Sequence, residues 1–207
     1  MKSFRRIAFV IGLALLAGYG LGFAYVVWKG DAVAFTQKAP SYARDDFSFL
    51  TTPDGESIAY TYLSHEEPRG VILYSHGSAV DIGELSYILE GHRTWGFDVV
   101  CYDYPGIGHS TGACSEQGSY EAIRAVYTML VEERGFSPEQ VVLLGRSVGT
   151  APSLRLATER EVGGLILVSP FLDSLRVATG IPLYPPHLFN NAQAIRQLQH
   201  QIGRAHV

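Results

Sequence analysis

Four short apolar runs, separated by helix-like segments, constrain the fold of this chain more than any other feature of its sequence. They are Val71–Tyr74, Asp98–Tyr104, Val141–Leu144 and Leu165–Val168. Short, continuously apolar runs are typical of strands in a parallel sheet that is buried on both faces. The sequence therefore predicts an α/β fold, in which helices cover both faces of a mostly parallel sheet.

Two other elements complete the predicted sheet. The runs Phe47–Leu50 and Ile58–Leu63 flank Pro53-Asp54-Gly55, a turn signal, so we expect a leading antiparallel hairpin. Between the second and third apolar runs, aromatic and aliphatic side chains recur at helical spacing, and Gly135 follows as a helix stop. These side chains are Tyr120, Ile123, Tyr127 and Leu130.

The N-terminal stretch Ile7–Trp28 contains no charged residue and no proline. As a helix it would be about 33 Å long, enough to cross the hydrocarbon core of a bilayer. A cleaved signal peptide is the alternative, and Ala32-Val33-Ala34 resembles a cleavage site. The apolar run is longer than the core of a signal peptide, however. We therefore predict an uncleaved transmembrane anchor over residues 1–31 and a polar linker over residues 32–44 that lifts the domain off the membrane.

The charges around this anchor predict its orientation. Lys2, Arg5 and Arg6 precede the apolar stretch, whereas Lys29 and Asp31 follow it and cancel. Positively charged flanks of membrane helices remain in the cytoplasm. We expect a single-pass membrane protein with a cytoplasmic N-terminus and an extracytoplasmic domain over residues 45–201.

Composition and spacing argue against several other kinds of site. The net charge of −4 gives no electrostatic reason for a nucleic-acid partner. The seven histidines are scattered without paired Cys/His spacing, so we predict no metal site. The loop after the second run is rich in glycine, but Thr111 stands where a dinucleotide-binding fingerprint requires its third glycine. We therefore predict no bound cofactor.

Residues 145–149, Gly-Arg-Ser-Val-Gly, match the G-x-S-x-G pattern directly after the run Val141–Leu144. In this context the pattern predicts a sharp strand-to-helix turn with Ser147 at its strained apex, placed to act as a nucleophile. The following helix, from about Val148, would point its N-terminal amides at the reacting centre. The alternative is a glycine-flanked turn whose serine is incidental.

Residues 76–79, His-Gly-Ser-Ala, follow the first apolar run, where an oxyanion loop is expected. The backbone N–H of Ser78, or of Ala79, would act with that of Val148 to stabilise a tetrahedral intermediate. An ordinary strand-to-helix turn is the alternative. We interpret His76 as a structural turn residue rather than a base.

Three segments, YSHGSAVD, YDYPGIGHSTG and LGRSVGTAPS, occur in an order and spacing that resemble the α/β-hydrolase superfamily. The chain is most similar to the membrane-associated serine hydrolases of that superfamily, which include protein depalmitoylases and serine aminopeptidase-like relatives. The resemblance covers about Phe47 to Gln199 and implies that Ser147 is the nucleophile. The family's acid and histidine follow later strands, and we find neither strand after Leu165–Val168, only a Pro-rich segment and a helix-like stretch, Asn191–Gln199.

The last six residues, Ile202–Val207, resemble a translated sequencing adapter. We therefore expect an α/β-hydrolase domain without its C-terminal strands, followed by an artefactual tail over residues 202–207. The alternative is a natural short homologue, but such a protein would expose a long apolar sheet edge.

Two functional hypotheses remain open. The first is a serine hydrolase that cleaves an ester, a thioester or an amide through an acyl-enzyme on Ser147, inactive or nearly so without its later strands. The second is a non-catalytic, membrane-anchored α/β-hydrolase-fold protein that binds a ligand or partner. A small-molecule or acyl substrate is expected for the enzyme, and the aromatic and apolar content of Phe171–Leu188 favours an apolar acyl group.

Overall fold

The computed structural model describes residues 2–35, 39–172 and 189–198, which form a six-stranded mixed sheet with flanking helices. The strand order is β1-β2-β4-β3-β5-β6. The strands are β1 (Ser48–Thr51), β2 (Ser57–Leu63), β3 (Val71–Ser75), β4 (Asp98–Tyr102), β5 (Val141–Arg146) and β6 (Gly164–Val168). The helices are α1 (Lys2–Ala34), α2 (Ser86–Arg93), α3 (Glu116–Thr128), α4 (Thr150–Glu159) and α5 (Asn191–Gln197).

The leading hairpin is present. Strands β1 and β2 pair antiparallel with Leu50 opposite Ile58, and the turn between them contains Gly55 at a φ of +92°. Glycine is suited to this left-handed conformation because it has no Cβ atom. Strand β2 then pairs antiparallel with β4, which joins the hairpin to the rest of the sheet.

Strands β4, β3, β5 and β6 are parallel neighbours. Val71 of β3 lies opposite Asp98 on one side and Val141 on the other, so the strands begin at the same level. Their carboxyl ends consequently meet at one edge of the sheet, where sites in α/β folds are usually found.

The core lies on both faces of the sheet, and β3 and β4 are buried along their full length. Val71 and Leu73 of β3 belong to the hydrophobic cluster that includes α3 and α4. The alternate residues Ile72 and Tyr74 belong to a second cluster with Leu89 of α2. Because the side chains of a strand alternate between its faces, the continuous apolar pattern fills both clusters.

The predicted helix between the second and third apolar runs is also present. It is α3, which continues as a wide π turn over Met129–Glu133. Ile123, Tyr127 and Leu130 are buried, and Gly135 follows in the left-handed region at a φ of +79°. The helical spacing therefore identified the face that packs on the sheet.

Two strand predictions need correction. Strand β4 ends at Tyr102 rather than Tyr104: the Asp103 N–H still donates to the Ala59 carbonyl oxygen of β2 at 2.9 Å, and a turn follows at Pro105 and Gly106. Strand β6 is not buried on both faces: Ile166 and Val168 are 43% and 42% exposed. Among the described residues β6 pairs only with β5, so it forms the edge of the sheet and its side chains have fewer neighbours.

Helix α1 contains an exposed apolar span, Phe4–Tyr25, with a mean hydropathy of 2.1. Its length and composition allow it to cross a membrane, and a signal sequence near the N-terminus can meet the same two criteria. The helix continues past residue 31 to Ala34, so the start of the predicted linker is helical. Ala34 and Phe35 are buried in the hydrophobic cluster of the domain, and the spacing role of residues 32–44 stays a prediction.

Two sequence predictions lie largely or wholly outside the described residues, and a third ends one residue beyond them. Most of Phe171–Leu188, the segment whose content favours an apolar acyl group, falls in residues 173–188, and the tail 202–207 falls in residues 199–207. The helix-like stretch Asn191–Gln199 is helical over Asn191–Gln197, and its last residue is not described.

Candidate active site

Ser147 stands at a strained turn between β5 and α4. Its φ is +52°, a left-handed conformation that costs a residue with a Cβ atom about 1–3 kcal/mol. The turn is a single 3₁₀ turn, Ser147–Gly149, after which α4 begins at Thr150. The Ser147 side chain is exposed, whereas Val148 is buried. The turn that the G-x-S-x-G pattern predicts is therefore present, with an exposed serine at its apex.

The two glycines of the motif allow this turn to form. A Cβ atom on Gly145 would lie 2.5 Å from the Gly149 carbonyl oxygen. A Cβ atom on Gly149 would lie 2.1 Å from the carbonyl oxygen of Ser75, the last residue of β3. Both distances are far below a van der Waals contact, so the backbones of the turn and of β3 can approach only if both positions are glycine.

The loop after β3 lies beside Ser147. A Cβ atom on Gly77 would be 3.8 Å from the Ser147 Cβ atom, which places this loop in contact with the apex of the turn. Ser78 is the next residue and is half-buried. The structure thus brings together Ser147 and the loop that we expected to form an oxyanion hole, while the roles of the Ser78 and Val148 amides remain predictions.

His76 is buried at the start of this loop, and both its ring nitrogens face oxygen atoms. Nδ1 lies 2.7 Å from the Gly77 carbonyl oxygen, and a carbonyl can only accept, so Nδ1 is the donor. Nε2 lies 3.2 Å from Asp103 Oδ1, which is an ion-pair distance, although the angles do not meet those of a hydrogen bond. His76 is therefore a structural residue of this loop and is not positioned to act as a base, which agrees with the interpretation from the sequence.

Tyr104 fixes the same residue from another direction. Its hydroxyl donates to the His76 carbonyl oxygen at 2.6 Å, and its ring packs on the imidazole with 4.6 Å between centroids. Burial, reinforced by neighbouring ionisable groups, raises the pKa of Tyr104 well above its usual range. The hydroxyl consequently remains protonated and continues to donate.

Asp103 is the main site residue that sequence reasoning missed. It follows β4, is fully buried, and its Oδ1 accepts the N–H of Ile82 at 2.9 Å. A buried carboxylate needs hydrogen-bond donors, so an aspartate directly after a fully apolar strand is the signal that could have identified it. From the sequence we tested this glycine-rich region only as a dinucleotide-binding fingerprint, which Thr111 argues against.

A second missed contact connects the serine turn to the chain after β6. The Thr150 hydroxyl donates to the Ser147 carbonyl oxygen at 2.7 Å. The side-chain amide of Asn191 donates to Thr150 Oγ1 at 3.3 Å and to the Phe171 carbonyl oxygen at 3.0 Å. Nothing in the local sequence indicated this contact, because it joins three separate segments.

An aromatic cluster lies near this edge of the sheet. The ring of Phe35 is 5.3 Å from that of Tyr104 and 5.9 Å from that of Phe189. Phe189 also lies 6.3 Å from Phe171 and 6.0 Å from Tyr120. Since Tyr104 contacts His76, this mostly buried cluster adjoins the loop that follows β3.

Ser147 has no histidine partner within residues 2–35, 39–172 and 189–198. Of the histidines that are described, His76 faces Gly77 and Asp103, and His109 Nε2 lies 3.0 Å from the Tyr42 carbonyl oxygen. In the same part of the chain, no three His, Cys, Asp or Glu residues are grouped so that they could hold a metal ion.

A comparison with protein families identifies this arrangement. The sequence profile of the family described as serine aminopeptidase, S33, matches residues 66–200, which is more than half of the chain and includes the turn at Ser147. The chain belongs to this hydrolase family. Its sheet order, its strained serine turn and its leading antiparallel hairpin are those of an α/β-hydrolase fold.

Curated relatives of this family are similar over the central part of the chain. The alpha/beta hydrolase domain-containing protein aho-3 of Caenorhabditis elegans is 41% identical over 111 residues, which cover 52% of this chain and 32% of that protein. The human alpha/beta hydrolase domain-containing protein 17C is 42% identical over 112 residues, 53% of this chain and 34% of that protein. The alpha/beta hydrolase domain-containing protein 17B of Xenopus tropicalis is 42% identical over 134 residues, which cover 63% of this chain and 46% of that protein. The chain therefore spans less than half the length of these relatives.

Solved structures support the fold assignment. An α/β-hydrolase from Vibrio vulnificus superposes with a TM-score of 0.62 at 22% identity, covering 74% of this chain and 59% of that chain. The Pyrococcus furiosus esterase Pf2001 superposes with a TM-score of 0.57 at 16% identity, covering 72% and 63%. At identities of 22% and 16%, these superpositions show that the protein shares its fold with the two structures.

Proposed function

We propose that Ser147 is the nucleophile of a serine hydrolase that cleaves an ester, a thioester or an amide through an acyl-enzyme. The observation that carries the proposal is the φ of +52° at an exposed serine. Strain of this kind persists only where the surrounding structure imposes it, and it is concentrated at functional sites. Here the close contacts of Gly145 and Gly149 impose it.

In the proposed reaction, Ser147 Oγ attacks the substrate carbonyl carbon while its proton passes to a histidine base. The tetrahedral intermediate collapses, the bond to the leaving group breaks, and an alcohol, thiol or amine departs with that proton. Water then attacks the acyl-enzyme, releases the carboxylic acid and restores Ser147. By resemblance to the family, the base and its acid come from a later part of the hydrolase domain.

The negative charge of the intermediate would be stabilised by the backbone N–H groups of Ser78 and Val148. The contact between Gly77 and Ser147 supports this role for the loop after β3, and the 3₁₀ turn supports it for Val148. Each such donor contributes roughly 3–4 kcal/mol to transition-state stabilisation in enzymes that use them. No cofactor takes part in this mechanism.

The proposed substrate carries an apolar acyl group. The apolar and aromatic content of Phe171–Leu188 supports this class, because pockets lined by such side chains favour apolar over charged groups. The apolar span of α1 supports a membrane location, where acyl chains are concentrated.

The experiment that tests this proposal is active-site labelling with a fluorophosphonate probe, applied to the protein with its complete hydrolase domain. We expect labelling to disappear in Ser147→Ala. The matched control is Ser78→Ala, which removes a serine hydroxyl from the same site but keeps the backbone N–H, and should still be labelled. Labelling that persists in Ser147→Ala would refute the assignment. A folded protein that is never labelled would favour the non-catalytic binding protein instead.

A further inference from the structure

The residues between α1 and β1 are bound to the loop beside Ser147. The N–H of Ser41 donates to Asp81 Oδ2 at 2.7 Å, and the Ser41 hydroxyl donates to Asp81 Oδ1. Asp81 in turn caps the 3₁₀ turn Ile82–Glu84 by accepting the N–H of Gly83 at 3.1 Å. Ser41 thus holds the far end of the loop that begins at His76.

Tyr42 makes a second and more buried attachment. Its hydroxyl donates to Asp103 Oδ2 at 2.6 Å and accepts the N–H of His109 at 3.0 Å. Burial first, and then the charge of Asp103, raise the pKa of Tyr42 well above its usual range, so the hydroxyl remains a donor.

Two glycines make room for this side chain. A Cβ atom on Gly83 would lie 2.7 Å from the Tyr42 Cβ atom. A Cβ atom on Gly108 would lie 2.6 Å from the Tyr42 hydroxyl oxygen and 2.0 Å from Asp103 Oδ2. The loops after β3 and β4 therefore pack closely around the Tyr42 side chain and the Asp103 carboxylate. Such close packing is typical of a segment that is held in one position against the domain.

Asp103 transmits this contact to the loop beside Ser147. Its Oδ1 accepts the Ile82 N–H at 2.9 Å and lies 3.2 Å from His76 Nε2, so one carboxylate lies against both ends of the segment 76–82. Gly77 and Ser78 lie within that segment, and a Cβ atom on Gly77 would lie 3.8 Å from the Ser147 Cβ atom. A change in the hydrogen-bond donors to Asp103 would therefore affect Ile82 and His76, the two residues that flank the proposed oxyanion loop.

We propose that Tyr42 is a positioning residue: through Asp103, the segment that follows α1 sets the loop that carries the Ser78 N–H, and hence the oxyanion hole at Ser147. The inference rests on the proposed function, since it assigns a role within that site. Loss of the Tyr42 hydroxyl would leave one oxygen of a buried carboxylate without its side-chain donor, and the loop would shift as Asp103 finds another. Such a shift affects the transition state more than substrate binding.

The test compares Tyr42→Phe with Tyr62→Phe in the protein with its complete hydrolase domain. Tyr62 is the matched control because its hydroxyl also donates to a carboxylate, that of Asp98, at the opposite end of β4 from Asp103. For a nitrophenyl ester we expect Tyr42→Phe to lower kcat by about tenfold with KM almost unchanged, as for a small misplacement of a catalytic group. Tyr62→Phe should keep the kcat of the unaltered protein. Equal kcat values in the two variants would overturn the proposal.

Amide hydrogen exchange separates this inference from the proposed function. We expect faster exchange over residues 76–84 in Tyr42→Phe and, to a lesser degree, in Ser41→Ala, but not in Tyr62→Phe. Unchanged exchange in both linker variants would overturn the positioning role even if the enzyme is active. If the unaltered protein shows no turnover that depends on Ser147, the proposed function fails, and the exchange result alone decides whether Tyr42 holds the loop.

Discussion

The backbone of Gly149 lies against the carbonyl oxygen of Ser75, so closely that a Cβ atom at position 149 would be 2.1 Å from that oxygen. This contact joins the turn after β5 to the end of β3 and sets the distance between Ser147 and the loop that starts at His76. The geometry of the site therefore depends on the absence of a side chain at position 149.

We therefore expect Gly149→Ala to destabilise the protein by about 3 kcal/mol or more, because the new methyl group would meet backbone atoms that cannot move aside. The matched control is Gly91→Ala in α2, where a Cβ atom would meet nothing within 4 Å. That change should stabilise the helix by about 0.5–1 kcal/mol. Urea unfolding of the two variants measures both effects. A Gly149→Ala protein as stable as the unaltered one would contradict the close approach.

The apolar span of α1 predicts that the expressed chain fractionates with membranes and resists an alkaline wash. We also expect the hydrolase domain to be protected from protease added to the cytoplasmic side, because Lys2, Arg5 and Arg6 precede the span. N-terminal sequencing of the expressed protein provides the control for cleavage. A mature protein that starts near Phe35 would show that the span is a signal sequence.

The resemblance to the family predicts where the base for Ser147 comes from, since the family's acid and histidine follow later strands of the domain. We expect the 207-residue chain to hydrolyse a short-chain nitrophenyl ester about 10⁴–10⁶ times more slowly than the protein with its complete hydrolase domain. Circular dichroism of both proteins would show whether slow turnover reflects misfolding. Comparable rates would mean that the base lies within these residues.

His92 predicts a loss of stability at mildly acidic pH. The side chain is half-buried between the rings of Tyr74 and Trp95, and its Nδ1 is buried without a hydrogen-bond partner. Burial lowers the pKa of His92 below its ordinary value of 6.5, so the unfolded chain binds a proton more readily than the folded one. The stabilisation is therefore complete above about pH 7.5 and declines as the pH falls through 6.5 towards the folded pKa.

Urea midpoints measured between pH 7.5 and pH 5.5 test this linkage. We expect His92→Phe to reduce the decline, since phenylalanine fills the same aromatic site without binding a proton. The control is His65→Phe, in the loop after β2, which should show the same decline as the unaltered protein. A decline that is equally steep in His92→Phe would show that another group is responsible.

The order of the elements could be predicted from the sequence because each depends on local patterns. The continuous apolar runs located β3 and β5, the turn signal at Gly55 located the hairpin, and the helical spacing located α3. The limits of β4 and the exposure of β6 could not be predicted in this way. An apolar run shows that a strand is suited to burial, but only its neighbours in space decide whether it is buried and where it ends.

The sequence by itself determined the strained turn at Ser147. Its two glycines and the preceding apolar strand are adjacent in the chain, so the G-x-S-x-G pattern identifies the turn before its distant contacts are known. Only the tertiary structure decided what holds the loop beside it. Tyr42 and Asp103 are 61 residues apart in sequence, and Ser41 and Asp81 are 40 apart. Hydrogen bonds of this kind form between any donor and acceptor that folding brings within about 3 Å, so no local pattern identifies the partners in advance.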